Sequence, residues 1–163
     1  MAMGNLTKSK ERVRKHAEVF TPIRIVRQMI DLVENEESGA DVLAPGKTWM
    51  EPACGNGVFV GEIVRRKLSR CESVRQGLDA LKDVYAVDIQ SDNVQQARCQ
   101  ALGQFAVWCL DSGFGVTRKT LHAASEIIKR NIIEGDFLKP ETVVIYDWKS
   151  DRETRLSDCM DDV

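Results

Sequence analysis

Between Thr48 and Leu68 the sequence changes its period around one glycine-rich break. A short apolar stretch, Thr48-Trp49-Met50, stops abruptly at Glu51-Pro52-Ala53-Cys54-Gly55-Asn56-Gly57, and Val58, Phe59, Ile63, Val64 and Leu68 then recur at helical spacing. A strand that passes through a glycine turn into a helix constrains the chain to layered α/β architectures. The glycine pair lets the backbone approach a ligand closely. The helix start behind it offers unpaired N–H groups to a carboxylate or a phosphate.

The alternation continues downstream. Val84-Tyr85-Ala86-Val87-Asp88 reads as a buried strand ending in an acid, and residues 92–110 as a long helix with Val94, Ala97, Ala101, Leu102, Phe105, Trp108 and Cys109 on one face. Asp111-Ser112-Gly113 closes that helix, and a second one runs from about Arg118 to Lys129. A short strand follows at Asn131–Glu134 and leads into Gly135-Asp136-Phe137-Leu138; the last strand candidate is Thr142–Tyr146. Upstream, Thr21-Pro22 starts a helix over 22–34 that ends in the loop Asn35–Gly46. Strands alternating with helices predict an α/β fold with a mostly parallel sheet and right-handed crossovers. Ligands in such sheets sit at the carboxyl ends of the strands, where the turns at Glu51–Gly57, Asp88 and Asp136 converge on one cleft.

At 163 residues the chain fits a single domain, and 43% hydrophobic with 29% charged residues is the composition of a folded globular protein. Its expected organisation is a basic arm over 1–19, a cofactor-binding domain over 20–148 and a polar, flexible tail over 149–163. The net charge of −2 is unevenly placed, +5 over residues 1–27 and −3 over 147–163. Lys8, Lys10, Arg12, Arg14 and Lys15 in the arm offer cations to phosphates, although a solvated terminus explains them as well. Five cysteines without a CxxC pair read as reduced thiols rather than a zinc or redox site. No apolar run reaches about 18 residues and the N-terminus is charged, so no membrane span or secretory signal is drawn and a cytoplasmic location is expected.

An acid closing the strand after a glycine turn takes ribose hydroxyls in nucleotide-binding folds, so a nucleoside-bearing ligand is implied. The dinucleotide fingerprint fails, because Val60 stands where its third glycine belongs and Asp88 lies 33 residues beyond Gly55 rather than about 20. A phosphate-binding loop fails too, for want of a Gly-Lys-Ser/Thr ending. The residues instead resemble the S-adenosylmethionine-dependent DNA adenine-N6 methyltransferases of restriction–modification systems. Glu51-Pro52-Ala53-Cys54-Gly55-Asn56-Gly57-Val58-Phe59 is similar to that family's first motif, and Phe20-Thr21-Pro22 to the element that contacts the methionine end of the cofactor. Asp88, with Ile89 behind it, matches the ribose-binding acid, and Gly135-Asp136-Phe137-Leu138 the element whose Asp holds the adenine amino group. The resemblance implies a truncated Rossmann-like methyltransferase fold. It also implies S-adenosyl-L-methionine as cofactor, held by Phe20, Thr21, Pro22, Glu51, Ala53, Cys54, Gly55, Asn56, Gly57, Phe59, Asp88, Ile89, Asp136 and Phe137, and DNA as a partner. Cys54 reads as a packing residue of the turn rather than a nucleophile.

The resemblance stops before the chemistry. Family enzymes activate the adenine amine with an Asn/Asp-Pro-Pro-aromatic motif, and none of the four prolines here is adjacent to another. Tyr146-Asp147-Trp148, after the expected fourth strand, is one substitute; a strand end turning into a solvated tail is the other reading. Three functions stay open: a methyltransferase subunit completed by a partner chain, a module that binds the cofactor without transferring its methyl, and a structural remnant. A sheet that ends after four strands leaves an edge exposed, so a protein partner or self-association is expected.

Overall fold

The first two elements among the described residues are helices, α1 (Lys10–His16) and α2 (Ile23–Glu36). There follow β1 (Trp49–Glu51), α3 (Val58–Leu68), α4 (Val74–Lys82), β2 (Val84–Asp88), α5 (Ser91–Asp111), α6 (Arg118–Asn131) and β3 (Ile132–Glu134). A 3-10 turn at Pro140–Thr142 leads into β4 (Val144–Asp147), β5 (Arg152–Arg155) and α7 (Leu156–Met160). The structure is a computed structural model and describes residues 8–16, 19–36 and 41–160.

The five residues of β2 are all buried, which requires neighbours on both edges and both faces. β1 and β3 pair with it in parallel, giving a three-stranded sheet in the order β1-β2-β3. The side-chain alternation of β2 then divides the core. Val84 and Ala86 join Ile132 in the cluster formed with α3, α5 and α6, whereas Tyr85 and Val87 point to the other face and pack with Val143, Ile145 and Leu156. The result is a mixed α/β fold with helices on one face and a β4–β5 hairpin on the other, an arrangement compatible with a Rossmann-like fold.

Buried polar side chains hold the layers in register. Lys67, 2% exposed, donates to the carbonyls of Ala44 and Lys47 and so ties α3 to the loop before β1. Asn131 donates to the carbonyls of Leu81 and Lys82 at the end of α4 and of Val84 at the start of β2, and accepts the Trp148 indole N–H at 2.7 Å, satisfying both ends of its amide. Glu62, 3% exposed, takes Arg65 and Arg66 from its own helix and Arg27 from α2. Burial would push its carboxyl up, but the Arg65 and Arg66 donors outweigh that and hold it at about 2.

Four expectations are revised. The expected fourth parallel strand, Thr142–Tyr146, is β4, which pairs antiparallel with β5 in a separate two-stranded sheet. The Asp147 side chain accepts the N–H groups of Lys149 and Ser150, and Asp151 takes a left-handed φ of 55°, so the chain reverses instead of crossing over. The tail expected to be flexible carries β5 and α7, because Leu156 is 3% exposed and fills the second cluster. In the arm, α1 forms and is tied to α5; residues 1–7, 17 and 18 of the arm, 37–40 of the loop and 161–163 of the tail lie outside the described residues. Helix α4, not anticipated, is capped by the Ser73 hydroxyl, which accepts from the Gln76 N–H. No helix among the described residues is long and apolar enough to cross a membrane.

Candidate functional site

Three strand ends face one hollow because their turns are bonded to one another. The Cys54 N–H donates to the Val87 carbonyl at 3.0 Å and the Gly135 N–H to the Asp88 carbonyl at 3.0 Å, which extends the sheet's pairing past its last residues. Asp88 locks the arrangement: one oxygen accepts the Gly55 N–H at 2.8 Å, the other the Gln90 N–H at 2.8 Å and the Asn93 side chain at 3.2 Å. An ionised carboxylate has about four acceptor positions, so one remains for a ligand.

The hollow, about 560 Å³, is lined by Val19 and Phe20 from the segment before α2, by Pro52, Ala53 and Gly55 from the first turn, and by Asp88, Ile89, Gln90 and Asn93 from the second. Gly135, Asp136, Phe137 and Leu138 complete it. Gly55 has a φ of 50° and a side chain there would begin 3.5 Å from the Phe20 ring, so the ring rests directly on the turn. Asp136 accepts the Leu138 N–H at 3.1 Å and faces the Lys139 ammonium at 3.3 Å, while remaining about one-third exposed. None of the described lining residues is Lys or Arg. Two carboxylates and an apolar lining of Phe20, Ile89, Phe137 and Leu138 suit a hydroxylated or cationic ligand with a flat apolar part, and oppose a polyphosphate.

Of the residues expected to bind a cofactor, Phe20, Ala53, Gly55, Asp88, Ile89, Asp136 and Phe137 line this cleft, while Thr21, Pro22, Glu51, Cys54, Asn56, Gly57 and Phe59 do not. The Pro22 carbonyl opens α2 by accepting from Ile25 and Val26. Glu51 is half-buried, and burial, only partly offset by the Ala53 N–H, pushes its carboxyl up. Cys54 is buried; that burial, with Asp88 and Glu51 nearby, pushes its thiol up to about 12, so it stays protonated. Asn56 faces a shallower hollow beside Gln96, Cys99 and Gln100, and Phe59 packs against the helical cluster. Gly57 serves packing: a Cβ there would lie 2.3 Å from the Ala97 Cα.

Tyr146, Asp147 and Trp148 stand apart from the cleft. The Tyr146 hydroxyl donates to Asp151, Asp147 accepts from the Lys149 and Ser150 amides and the Ser150 hydroxyl, and the Trp148 indole donates to Asn131. Asp147 and Trp148 border a second hollow of about 740 Å³ with Met50, Tyr85 and Ile145; Phe137 borders both hollows.

Asn93 is the residue the sequence reading missed. It is 2% exposed, and its signal was a polar side chain in the first turn of the helix directly behind Asp88, where it reaches back to the carboxylate. Among the described residues no group of three or more His, Cys, Asp or Glu side chains is placed to hold a metal ion. No protein-family model matches the chain, and no curated protein or solved structure matches it.

Proposed function

We propose that the cleft binds S-adenosylmethionine, and that the chain is the cofactor-binding part of a DNA adenine-N6-type methyltransferase with a methyltransferase-like fold, its active site completed by a second chain. One observation carries this reading. Residues from the four separate segments that resemble that family, around Phe20, Gly55, Asp88 and Asp136, line a single cleft of about 560 Å³, within the range of about 300–1,000 Å³ usual for small-molecule sites.

The chemistry of the lining supports the same ligand. The free acceptor position of Asp88 suits a ribose hydroxyl, Asp136 suits an amino donor, and Ile89, Phe137 and Leu138 supply apolar area for a purine. The absence of Lys and Arg among the described lining residues disfavours NAD and ATP. The bound cofactor would supply an electrophilic methyl group. An adenine amine also needs acceptors for its hydrogens and a stacking face, and the only segment expected to offer them, Tyr146-Asp147-Trp148, is committed to its own turn and to Asn131. That commitment favours a partner chain for the transfer step, and it equally supports the second reading, a module that binds the cofactor without using it.

The test is calorimetric titration with S-adenosylmethionine and its demethylated product against NAD and ATP, followed by labelled-methyl transfer to DNA. The cofactor pair binds and the phosphate-bearing nucleotides bind far more weakly. Asp136→Ala, which removes a side chain about one-third exposed and with few internal bonds, weakens binding about 5- to 150-fold, the equivalent of about 1–3 kcal/mol. Tighter binding of NAD, or unchanged affinity in Asp136→Ala, would refute the reading. Robust methyl transfer by the chain alone would remove the need for a partner.

A further inference from the structure

We propose that the N-terminal arm is an electrostatic latch on the cleft, in which Lys8 and Asn93 position Asp88, so that arm docking and ligand affinity rise and fall together. The inference deepens the cofactor reading and takes its ligand from it. Its geometry is a continuous chain of bonds from the arm to the cleft.

Lys8 donates to Asp92 at 2.7 Å and to the Asn93 side-chain oxygen at 2.7 Å, and Arg12 donates to the same Asp92 oxygen at 2.6 Å. Asn93 hands the connection on, its amide nitrogen donating to Asp88 at 3.2 Å. Both ends of the amide are therefore specified. Turned the other way, it would aim N–H groups at an ammonium and an oxygen at a carboxylate, so Lys8 fixes the orientation in which Asn93 holds Asp88. The arm also reaches the cleft wall directly: Val19, at its end, and Phe20 line the cleft, the Phe20 ring rests on Gly55, and the Lys8 ammonium lies 5.7 Å from that ring's centroid. An isolated exposed ion pair contributes little, but here two cations share one carboxylate and one of them continues into a bond to a side chain that is 2% exposed. Docking thus supplies part of the cleft wall and sets its acceptor. A ligand that fills the cleft stabilises the docked arm by the same factor.

The full chain is titrated with S-adenosylmethionine at about 0.02 M and about 1 M salt, conditions between which the Debye length falls from roughly 20 Å to about 3 Å. Lys8→Ala and Asp92→Asn each weaken binding about 5- to 20-fold at low salt, and the gap to the wild type closes at high salt. The sign for Lys8→Ala is decisive. Removing a cation beside an acidic cleft would tighten binding of a positively charged cofactor if simple charge were at work, whereas a latch weakens it. Arm docking is read separately, in the ligand-free protein, by mass spectrometry of tryptic cleavage after Arg12 and Arg14. Cleavage accelerates several-fold in Asp92→Asn, and the cofactor slows it in the wild type. Wild-type affinity in both variants, or tighter binding by Lys8→Ala, overturns the latch and leaves the cofactor reading standing. Absence of binding by the wild type overturns the coupling together with that reading.

Discussion

Replacing Gly57 by alanine tests whether the glycine turn is shaped by packing as well as by its ligand. Gly57 caps α3 with φ 82° and ψ 17°, in the left-handed region where an L-residue costs about 1–2 kcal/mol. A Cβ there would lie 2.3 Å from the Ala97 Cα and 2.7 Å from its Cβ, roughly 1 Å or more inside ordinary carbon–carbon contact of about 3.5–4.0 Å. Because both neighbouring atoms belong to α5 rather than to a flexible side-chain end, α3 and α5 must separate, and those helices carry Val60, Ile63 and Val64 against Ala97, Ala101 and Phe105. Overpacking of this kind costs about 1–3 kcal/mol more, giving roughly 2–5 kcal/mol in all. That is a large share of the ~5–15 kcal/mol usual for a domain, and it lowers the melting midpoint by roughly 5–20 °C. Gly113→Ala is the internal control, since Gly113 has φ 73° but nothing within 4 Å of its would-be Cβ, so only the backbone contribution of about 1–2 kcal/mol is lost. Urea unfolding followed by tryptophan fluorescence and circular dichroism measures both variants. If Gly57→Ala is no more destabilising than Gly113→Ala, the close approach of α3 to α5 is not what requires glycine.

Two further perturbations probe the buried polar anchors. Asn131→Leu removes the amide nitrogen that is shared by three carbonyls between the end of α4 and the start of β2, together with the acceptor of the Trp148 indole, and costs about 2–4 kcal/mol in urea unfolding; a loss under about 0.5 kcal/mol would show those carbonyls to be satisfied elsewhere. Glu62, depressed from 4.5 to about 2 in the folded chain, contributes stability that is complete above about pH 4.5 and is lost as the pH falls through about 2. Glu62→Gln is therefore less stable than the wild type by roughly 2–3 kcal/mol near pH 7, and the gap narrows towards pH 2; a gap independent of pH would contradict the Arg65–Glu62–Arg66 assignment.

The elements with a clear period and a clear boundary were legible in the sequence. α5 appears where Val94, Ala97, Ala101 and Phe105 share a face, and β2 where four apolar residues run unbroken into Asp88. Helix α4 was not, since its apolar face is only Val74, Leu78 and Leu81 set among charges, and its strongest cue is the Ser73 cap. The direction of β4 was not legible either. A four-residue apolar run does not say which strand it pairs with; the Asp147–Asp151 turn decides that, through side-chain bonds to its own backbone. Within the candidate site, the glycine turn and the acids at strand ends were visible because each follows a strand. Asn93 was hidden because its role depends on the helix start bringing it beside Asp88, and Gly57 looked like a ligand-contact glycine because a sequence does not show that Ala97 lies against it.

The position of β2 between two parallel neighbours sets an order on how the chain can assemble. Trp49 pairs with Val84 and Ala86 with Ile132, so each edge of β2 closes only after a crossover of two helices is complete. During synthesis β1 emerges with no sheet partner and waits for α3, α4 and β2; β3 then adds to the opposite edge once α5 and α6 have formed. Non-local parallel pairings of this kind are slow to nucleate because loop closure precedes any reward from contact. The central strand is thus the last part of the sheet to be fully bonded and the part whose amides are best shielded afterwards, while opening begins at β1 and β3, each paired on one side only.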